Sequence, residues 1–283
     1  MGRVTVRRKT TRLAGEHRSE RVDTLAVEEP LELRVGGESL QVTMRTPGDD
    51  FDLATGFLLA EGVITKPRDI VSMRYCAGVD GNGEQTYNLL DIVLAADLPA
   101  PPKSAKRNTT VTSACGVCGK DSLEDVRTKA AWSVAEDDTA ISAEVLASLP
   151  GRLRKAQKIF DRTGGLHAAG LFTSDGELLT AKEDVGRHNA VDKVLGQALR
   201  EGLVPLRGNV LAVSGRASFE LVQKAVMAGV PALAAVSAPS SLAADLAEES
   251  GLTLAGFVRE DTMNLYARPD RIVDARRHRP RTR

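Results

Sequence analysis

In the C-terminal half of the chain the apolar pattern alternates between two periods, and this alternation restricts the fold more than any other feature. Short apolar runs at Val210 to Val213, Ala232 to Val236 and Leu252 to Val258 are separated by helical patterns at Ser218 to Ala228 and Ser241 to Glu249. A strand that returns to its own sheet through a helix lies parallel to the strand it left. Ahead of these units, Leu166 to Thr173 and Leu178 to Ala181 flank Asp175-Gly176 as a hairpin. Ala190, Val191, Val194, Leu195 and Ala198 then mark a helix that stops at Gly202. The expectation is an α/β domain whose sheet is mixed but largely parallel.

The N-terminal part reads differently. Leu31, Leu33 and Val35 alternate, Gly36-Gly37 turns the chain, and Leu40, Val42 and Met44 alternate again, which describes a hairpin with one buried face. A helix from Asp50 to Glu61 and a strand pair at Ile70 to Ala77 and Tyr87 to Ala95 complete a small α+β unit. Three prolines and three basic residues between Leu98 and Asn108 mark a boundary. A helical segment runs from Ser142 through Pro150 to about Phe160. The division expected is an unstructured arginine-rich segment at 1–21, an α+β domain at 22–105, an α/β domain at 106–273 and a basic tail at 274–283.

With 38 basic and 38 acidic residues the net charge is zero, so no global field favours nucleic acid or a membrane surface. The chain has no apolar run of membrane-span length and no signal-peptide core at its start, so a cytoplasmic protein is expected. Three cysteines do not make a disulfide framework, and in a reducing compartment a close pair points to catalysis or metal binding.

That pair is Cys115 and Cys118, set among glycines in Thr112-Ser113-Ala114-Cys115-Gly116-Val117-Cys118-Gly119-Lys120-Asp121. Asp121 and Glu124 have the spacing of a capped helix start, and a helix N-terminus favours thiolate over thiol. Zinc needs four ligands, and the chain has no second Cys-x-x-Cys and no His-x-x-x-His, which leaves only a zinc shared across a dimer. A zinc deaminase needs His-x-Glu ahead of Pro-Cys-x-x-Cys, but only His17 precedes the pair and Ala114 replaces the proline. Thioredoxin-like exchange places its motif early in a small βαβ domain, unlike this chain. Cys76, in an apolar strand, reads as a small hydrophobe, and His167 as a wall residue.

Three polar clusters follow strands and precede helices: Glu183 to Asn189, Ser214 to Glu220, and Ser237 to Ser241. In an open α/β sheet that position is the carboxyl edge, where helix N-termini offer free amides to phosphate. Arg187 and Arg216 can add bidentate charge, and His188, Ser214 and Ser218 stand beside them. A fourth segment, Gly256 to Tyr266, leaves the last strand at the same edge.

Together Cys115-Gly-Val-Cys118-Gly119, Phe160-Asp-x-Thr-Gly-Gly-x-His167-Ala-Ala, Glu183-Asp-Val-Gly-Arg-His-Asn-Ala-Val-Asp-Lys193, Ser214-x-Arg-x-Ser-Phe-Glu220 and Gly256-Phe257 strongly resemble the formate dehydrogenase accessory sulfurtransferase family, FdhD, from about residue 22 to 273. The resemblance implies a cytidine deaminase-like α/β/α domain without the zinc site, and no permanent metal. It implies a homodimeric sulfur carrier that accepts persulfide sulfur from a cysteine desulfurase and passes it to Mo-bis(molybdopterin guanine dinucleotide), the cofactor of formate dehydrogenase. Cys115 matches the persulfide position, with Cys118 its companion. Val258, Arg259, Glu260, Asp261, Thr262 and Met263 match the cofactor-contact segment, although many relatives carry a glycine pair and an arginine after Arg259. The rival readings are a dithiol oxidoreductase and a non-catalytic guanine nucleotide-binding protein.

Overall fold

A computed structural model describes residues 4–76, 78, 87–101, 126 and 129–274. The chain opens with strands β1 (Thr5–Ala14) and β2 (His17–Ala26), an antiparallel hairpin in register from Thr5↔Ala26 to Ala14↔His17. This overturns the expectation that residues 1–21 are unstructured. Among the described strands the hairpin pairs only with itself, and most of its side chains are exposed, with Leu13 at 71% and Val22 at 60%, so neither face carries an apolar stripe. Without a buried face a strand leaves no period of two in the sequence.

Next come β3 (Glu29–Val35), β4 (Glu38–Arg45), α1 (Asp50–Ala60), β5 (Ile70–Tyr75) and β6 (Leu89–Leu94). They form a four-stranded sheet in the order β4-β3-β6-β5, with β3 parallel to β6. Gly36 and Gly37, at φ +59° and +83°, make the β3–β4 turn where the Gly-Gly pair placed it. The expected domain boundary and the cysteine loop fall largely or wholly among residues outside the described set.

The remainder contains β7 (Ile141–Ser142), α2 (Ala143–Ala156), a short α3 (Phe160–Thr163), β8 (His167–Thr173), β9 (Leu178–Asp184) and α4 (Arg187–Arg200). It continues with β10 (Asn209–Val213), α5 (Phe219–Met227), β11 (Ala232–Ala235), α6 (Ser241–Ser250), β12 (Thr253–Gly256), β13 (Asn264–Ala267) and β14 (Ile272–Val273). Rather than running unbroken to Phe160, the helix through Pro150 ends at Ala156 and restarts as α3. The six-stranded sheet has the order β13-β12-β11-β10-β8-β9. β10, β11 and β12 are parallel, whereas β8 is antiparallel to both its neighbours, so β9 points the same way as β10. The carboxyl ends of β9, β10, β11 and β12 therefore share one edge, at which β8 begins.

Helices cover both faces of this sheet. On one face Ala168, Phe172, Val210, Ala212 and Ala234 pack with Leu146, Leu149 and Leu153 of α2. On the other, Leu171, Leu211, Val213 and Leu233 join α4, α5 and α6, and the same core continues through α1 to Leu31, Leu33 and Leu90 of the N-terminal sheet. The helices α1 and α4 meet backbone to backbone. A Cβ on Gly56 would overlap the Asp192 carbonyl, and one on Gly196 would overlap that of Asp52.

Candidate functional site

The shared edge is held open by backbone bonds between successive loops. Ser214 N–H donates to Ala168 O at 3.0 Å and the Ser214 hydroxyl oxygen accepts from Ala168 N–H at 2.9 Å, which ties the end of β10 to the start of β8. Ser237 N–H donates to Gly215 O, Phe257 N–H to Ser237 O and Val258 N–H to Ala235 O, so the loops after β10, β11 and β12 step across the edge in order. Three helices start here. Ser240 caps α6 by accepting from Ala243 N–H at 3.3 Å, whereas α4 and α5 begin with no side-chain cap bond from Gly186 or Ser218. Amides at such ends are available to an anion.

Asp184 sets the start of α4. Its Oδ1 accepts from Gly186 N–H at 2.8 Å and from Asn189 Nδ2 at 3.0 Å, and its Oδ2 accepts from Thr46 N–H at 3.1 Å. Asn189 Nδ2 also donates to Met44 O at 2.7 Å. The first turn of α4 is thereby bolted to the β4–α1 connection, which presents Arg187 and His188 on a rigid support. The Arg187 Nε is buried and has no hydrogen-bond partner among the described residues. A buried guanidinium nitrogen without an acceptor is costly to leave unmatched, and a bound anion would satisfy it. His188 Nε2 lies 3.1 Å from Ser218 Oγ and 3.1 Å from Glu220 Oε2. His167, half-buried at the start of β8, is held below the ordinary histidine range, chiefly by burial and then by the Arg187 charge, with Asp184 opposing. It therefore stands neutral near neutral pH.

Beneath the edge, on the α2 face, lies a cavity of about 570 Å³. Leu153 and Phe160 form apolar wall, and Arg154, Gln157, His167 and Ser214 contribute polar atoms. Glu183 keeps this wall in place, since its carboxylate accepts from Ile159 N–H at 2.8 Å and Phe160 N–H at 2.7 Å. Of these lining residues, sequence reasoning had singled out only Ser214 as a ligand contact. The signal was present in the Phe160 to Ala169 motif, whose Gly164-Gly165 pair brings backbone to the cavity rim.

The structure gathers Arg187, His188, Ser214, Arg216 and Ser218 at one edge, as their positions after β9 and β10 implied. Arg216 is exposed there. The segment after β12 divides. Val258 turns inward and is 1% exposed among core residues, while Arg259, Glu260, Asp261 and Thr262 are exposed and Met263 packs partly against the core. Arg259 N–H donates to Thr262 O at 2.8 Å, closing a tight turn between β12 and β13. Phe257, absent from the expected contacts, is 38% exposed at φ +51°, a backbone conformation rare for an aromatic residue. Cys115 and Cys118 lie outside the described residues. Among the described residues no group of three or more His, Cys, Asp or Glu is placed to hold a metal, and no helix is long and apolar enough to cross a membrane.

A mixed α/β sheet covered by helices on both faces, with the starts of α4 and α5 lacking a side-chain cap and the Arg187 Nε buried at its carboxyl edge, defines a mixed α/β protein. Residues 26–273 match the family model described as FdhD/NarQ family. The chain belongs to that family. It is 60% identical to the sulfur carrier protein FdhD of Mycolicibacterium paratuberculosis, covering 95% of this chain and 99% of that one. It is 58% identical to the protein of the same name from Streptomyces coelicolor, over 96% and 97% of the two chains. A Desulfotalea psychrophila protein, described as a candidate formate dehydrogenase accessory protein, has a crystal structure that superposes with a TM-score of 0.73 at 25% identity, covering 96% of this chain and all of that one. The resemblance drawn from the motifs is borne out.

Proposed function

We propose that this protein is a cytoplasmic sulfur carrier for formate dehydrogenase maturation, which takes persulfide sulfur from a cysteine desulfurase and delivers it to Mo-bis(molybdopterin guanine dinucleotide), bound as substrate. In the first step the Cys115 thiolate attacks the outer sulfur of the donor persulfide, a new S–S bond forms, and the donor cysteine leaves as thiolate. Cys118 accompanies Cys115 as a protecting or resolving thiol. The carrying observation is the edge itself: the buried Arg187 Nε, without a partner among the described residues and beside the start of α4, which has no side-chain cap bond, suits the pyrophosphate of a guanine dinucleotide. Arg216, Ser218 and the exposed segment Arg259 to Thr262 extend that surface. A cytidine deaminase-like scaffold without the zinc site is part of this reading and rests on the family resemblance. The working form is a homodimer.

Incubation with a cysteine desulfurase and cysteine tests the carrier role. Intact mass rises by one sulfur, ~32 Da, in the wild type and in Cys118→Ala but not in Cys115→Ala. No gain overturns the reading and leaves the guanine nucleotide-binding protein, while oxidation of the pair without sulfur uptake favours the dithiol oxidoreductase. GDP, standing in for half of the dinucleotide substrate, raises the melting temperature by binding the native state.

A further inference from the structure

Two of the helices that start at the edge, α4 and α5, are joined by two acid–base pairs one turn apart. At the first turn His188 of α4 meets Glu220 of α5, with Nε2 and Oε2 3.1 Å apart, and the same nitrogen lies 3.1 Å from Ser218 Oγ. Four residues further along each helix, Lys224 Nζ donates to Asp192 Oδ1 at 2.7 Å. Residues four apart share a helix face, so both pairs stand in one seam. The inner pair is buried and fixes how the helices face each other. The outer pair inherits that alignment.

A carboxylate on an edge supplied with arginines and open amides works against anion binding unless it has another task. Glu220 has one. An ionised carboxylate only accepts, so with Glu220 ionised a proton shared by the two groups belongs to His188 Nε2, which would set the tautomer and rotation of the ring before a ligand arrives. We propose that Glu220 is a positioning residue, which with Ser218 holds His188 in its Nε2–H form against the first turn of α5 so that the ring meets the anionic ligand without an ordering cost. The assignment rests on the edge binding the nucleotide part of the substrate.

Two measurements on the full chain test it. With four histidines in the sequence, ¹⁵N-edited imidazole spectra at about pH 8, where neutral rings dominate, resolve His188, and His188→Gln assigns its signal. The wild type shows the Nε2–H form. Glu220→Met, which keeps volume but offers only a weak thioether acceptor, gives a tautomer mixture, and Glu220→Gln, which can still accept through its amide oxygen, restores the wild-type form. An unchanged tautomer in Glu220→Met overturns the proposal. In the second measurement Glu220→Met weakens GDP binding about tenfold, the order of one lost charge-assisted contact, but changes it less than about twofold in the His188→Gln background. Equal losses in both backgrounds mean that Glu220 acts on ligand or fold directly, which also overturns it. A wild type that binds no GDP removes the nucleotide reading instead, while the ligand-free spectra still decide what Glu220 does to His188.

Discussion

Lys193 Nζ lies 2.7 Å from Asp184 Oδ2, and both side chains are sealed from solvent, at 1% and 0% exposure. Lys193 also donates to Thr46 O at 2.9 Å, so one ammonium joins the end of β9, the middle of α4 and the β4–α1 connection. A buried charge is tolerable only with its partner in place. Lys193→Met leaves Asp184 charged and short of a cation, and is expected to cost about 3–5 kcal/mol of stability in urea unfolding. Because Asp184 also shapes the first turn of α4, GDP-induced stabilisation falls with it. A Lys193→Met protein with wild-type stability and GDP response would show that the pair does not organise the edge.

The glycine contact between α1 and α4 leads to a contrast. Gly56→Ala and Gly196→Ala each drive a methyl group into the backbone of the facing helix, which neither helix can relieve by a rotamer change. Each is expected to yield insoluble protein or a loss above ~3 kcal/mol. Gly151, inside α2, has nothing within 4 Å of where its Cβ would stand. Gly151→Ala is expected to stabilise by roughly 0.5–1 kcal/mol. Thermal unfolding of the three variants side by side checks the argument.

A buried and a half-buried titratable group, Asp192 and His167, give opposite pH slopes. Burial lifts Asp192 from 3.8 to about 6, with Lys224 pulling it down and Glu61 and Glu220 pushing it up. Between those values the folded chain keeps a proton that the unfolded chain has lost, so this group lowers stability as pH rises through the window. His167 lies below its ordinary 6.5, so under that pH the unfolded chain takes up a proton that the folded chain refuses. Its contribution is complete above 6.5 and is lost as pH falls. Urea midpoints from acid to neutral pH are expected to lose the first slope in Asp192→Asn and the second in His167→Gln. Identical profiles in all three proteins would remove both assignments.

The ladder of the hairpin β1–β2 runs on to Val27 N–H and Val4 O at 3.0 Å, and among the described residues the hairpin is bonded to the body through Arg162 Nη2, which donates to Thr5 Oγ1 at 3.3 Å. A two-stranded hairpin is marginal on its own in water. Hydrogen exchange is expected to be fastest in Thr5 to Ala26 among the described strands, and removing residues 2–26 to change the unfolding free energy of the remainder by less than about 1 kcal/mol. A larger loss would mean that the hairpin is part of the cooperative unit.

How far these features could be read in advance depended on where their physical cause lies. The alternation from Val210 to Val258 was legible because each strand is buried on both faces and each helix on one, which writes two periods into the sequence. Arg187, His188, Ser214, Arg216 and Ser218 were legible for the same reason, as a residue just after such a strand must lie at its carboxyl edge. The hairpin was not, having no buried face to mark it. Nor was the Gly56 to Gly196 contact, which joins elements 140 positions apart. The cavity wall of Leu153 and Phe160 depends on Glu183 reaching back to the start of α3, and nothing local in the sequence announces that reach.

Arg187 and Arg216 stand at the same edge in different surroundings. Arg216 is exposed, whereas Arg187 is half-buried with its Nε sealed and unmatched. Water already satisfies the first, so an anion gains little from it beyond screened attraction. At the second the ligand supplies an acceptor that no described residue provides, in a setting where a charge-assisted bond is strong. Arg187→Ala is therefore expected to lower GDP affinity by at least ~1.5 kcal/mol and Arg216→Ala by less than ~1 kcal/mol. Arg187→Lys should recover little, because an ammonium on a flexible stem has no nitrogen at the Nε position. Calorimetric titration of the three variants measures the order. If Arg216→Ala proves the more damaging, the phosphates lie on the outer rim of the edge and the buried guanidinium has another partner.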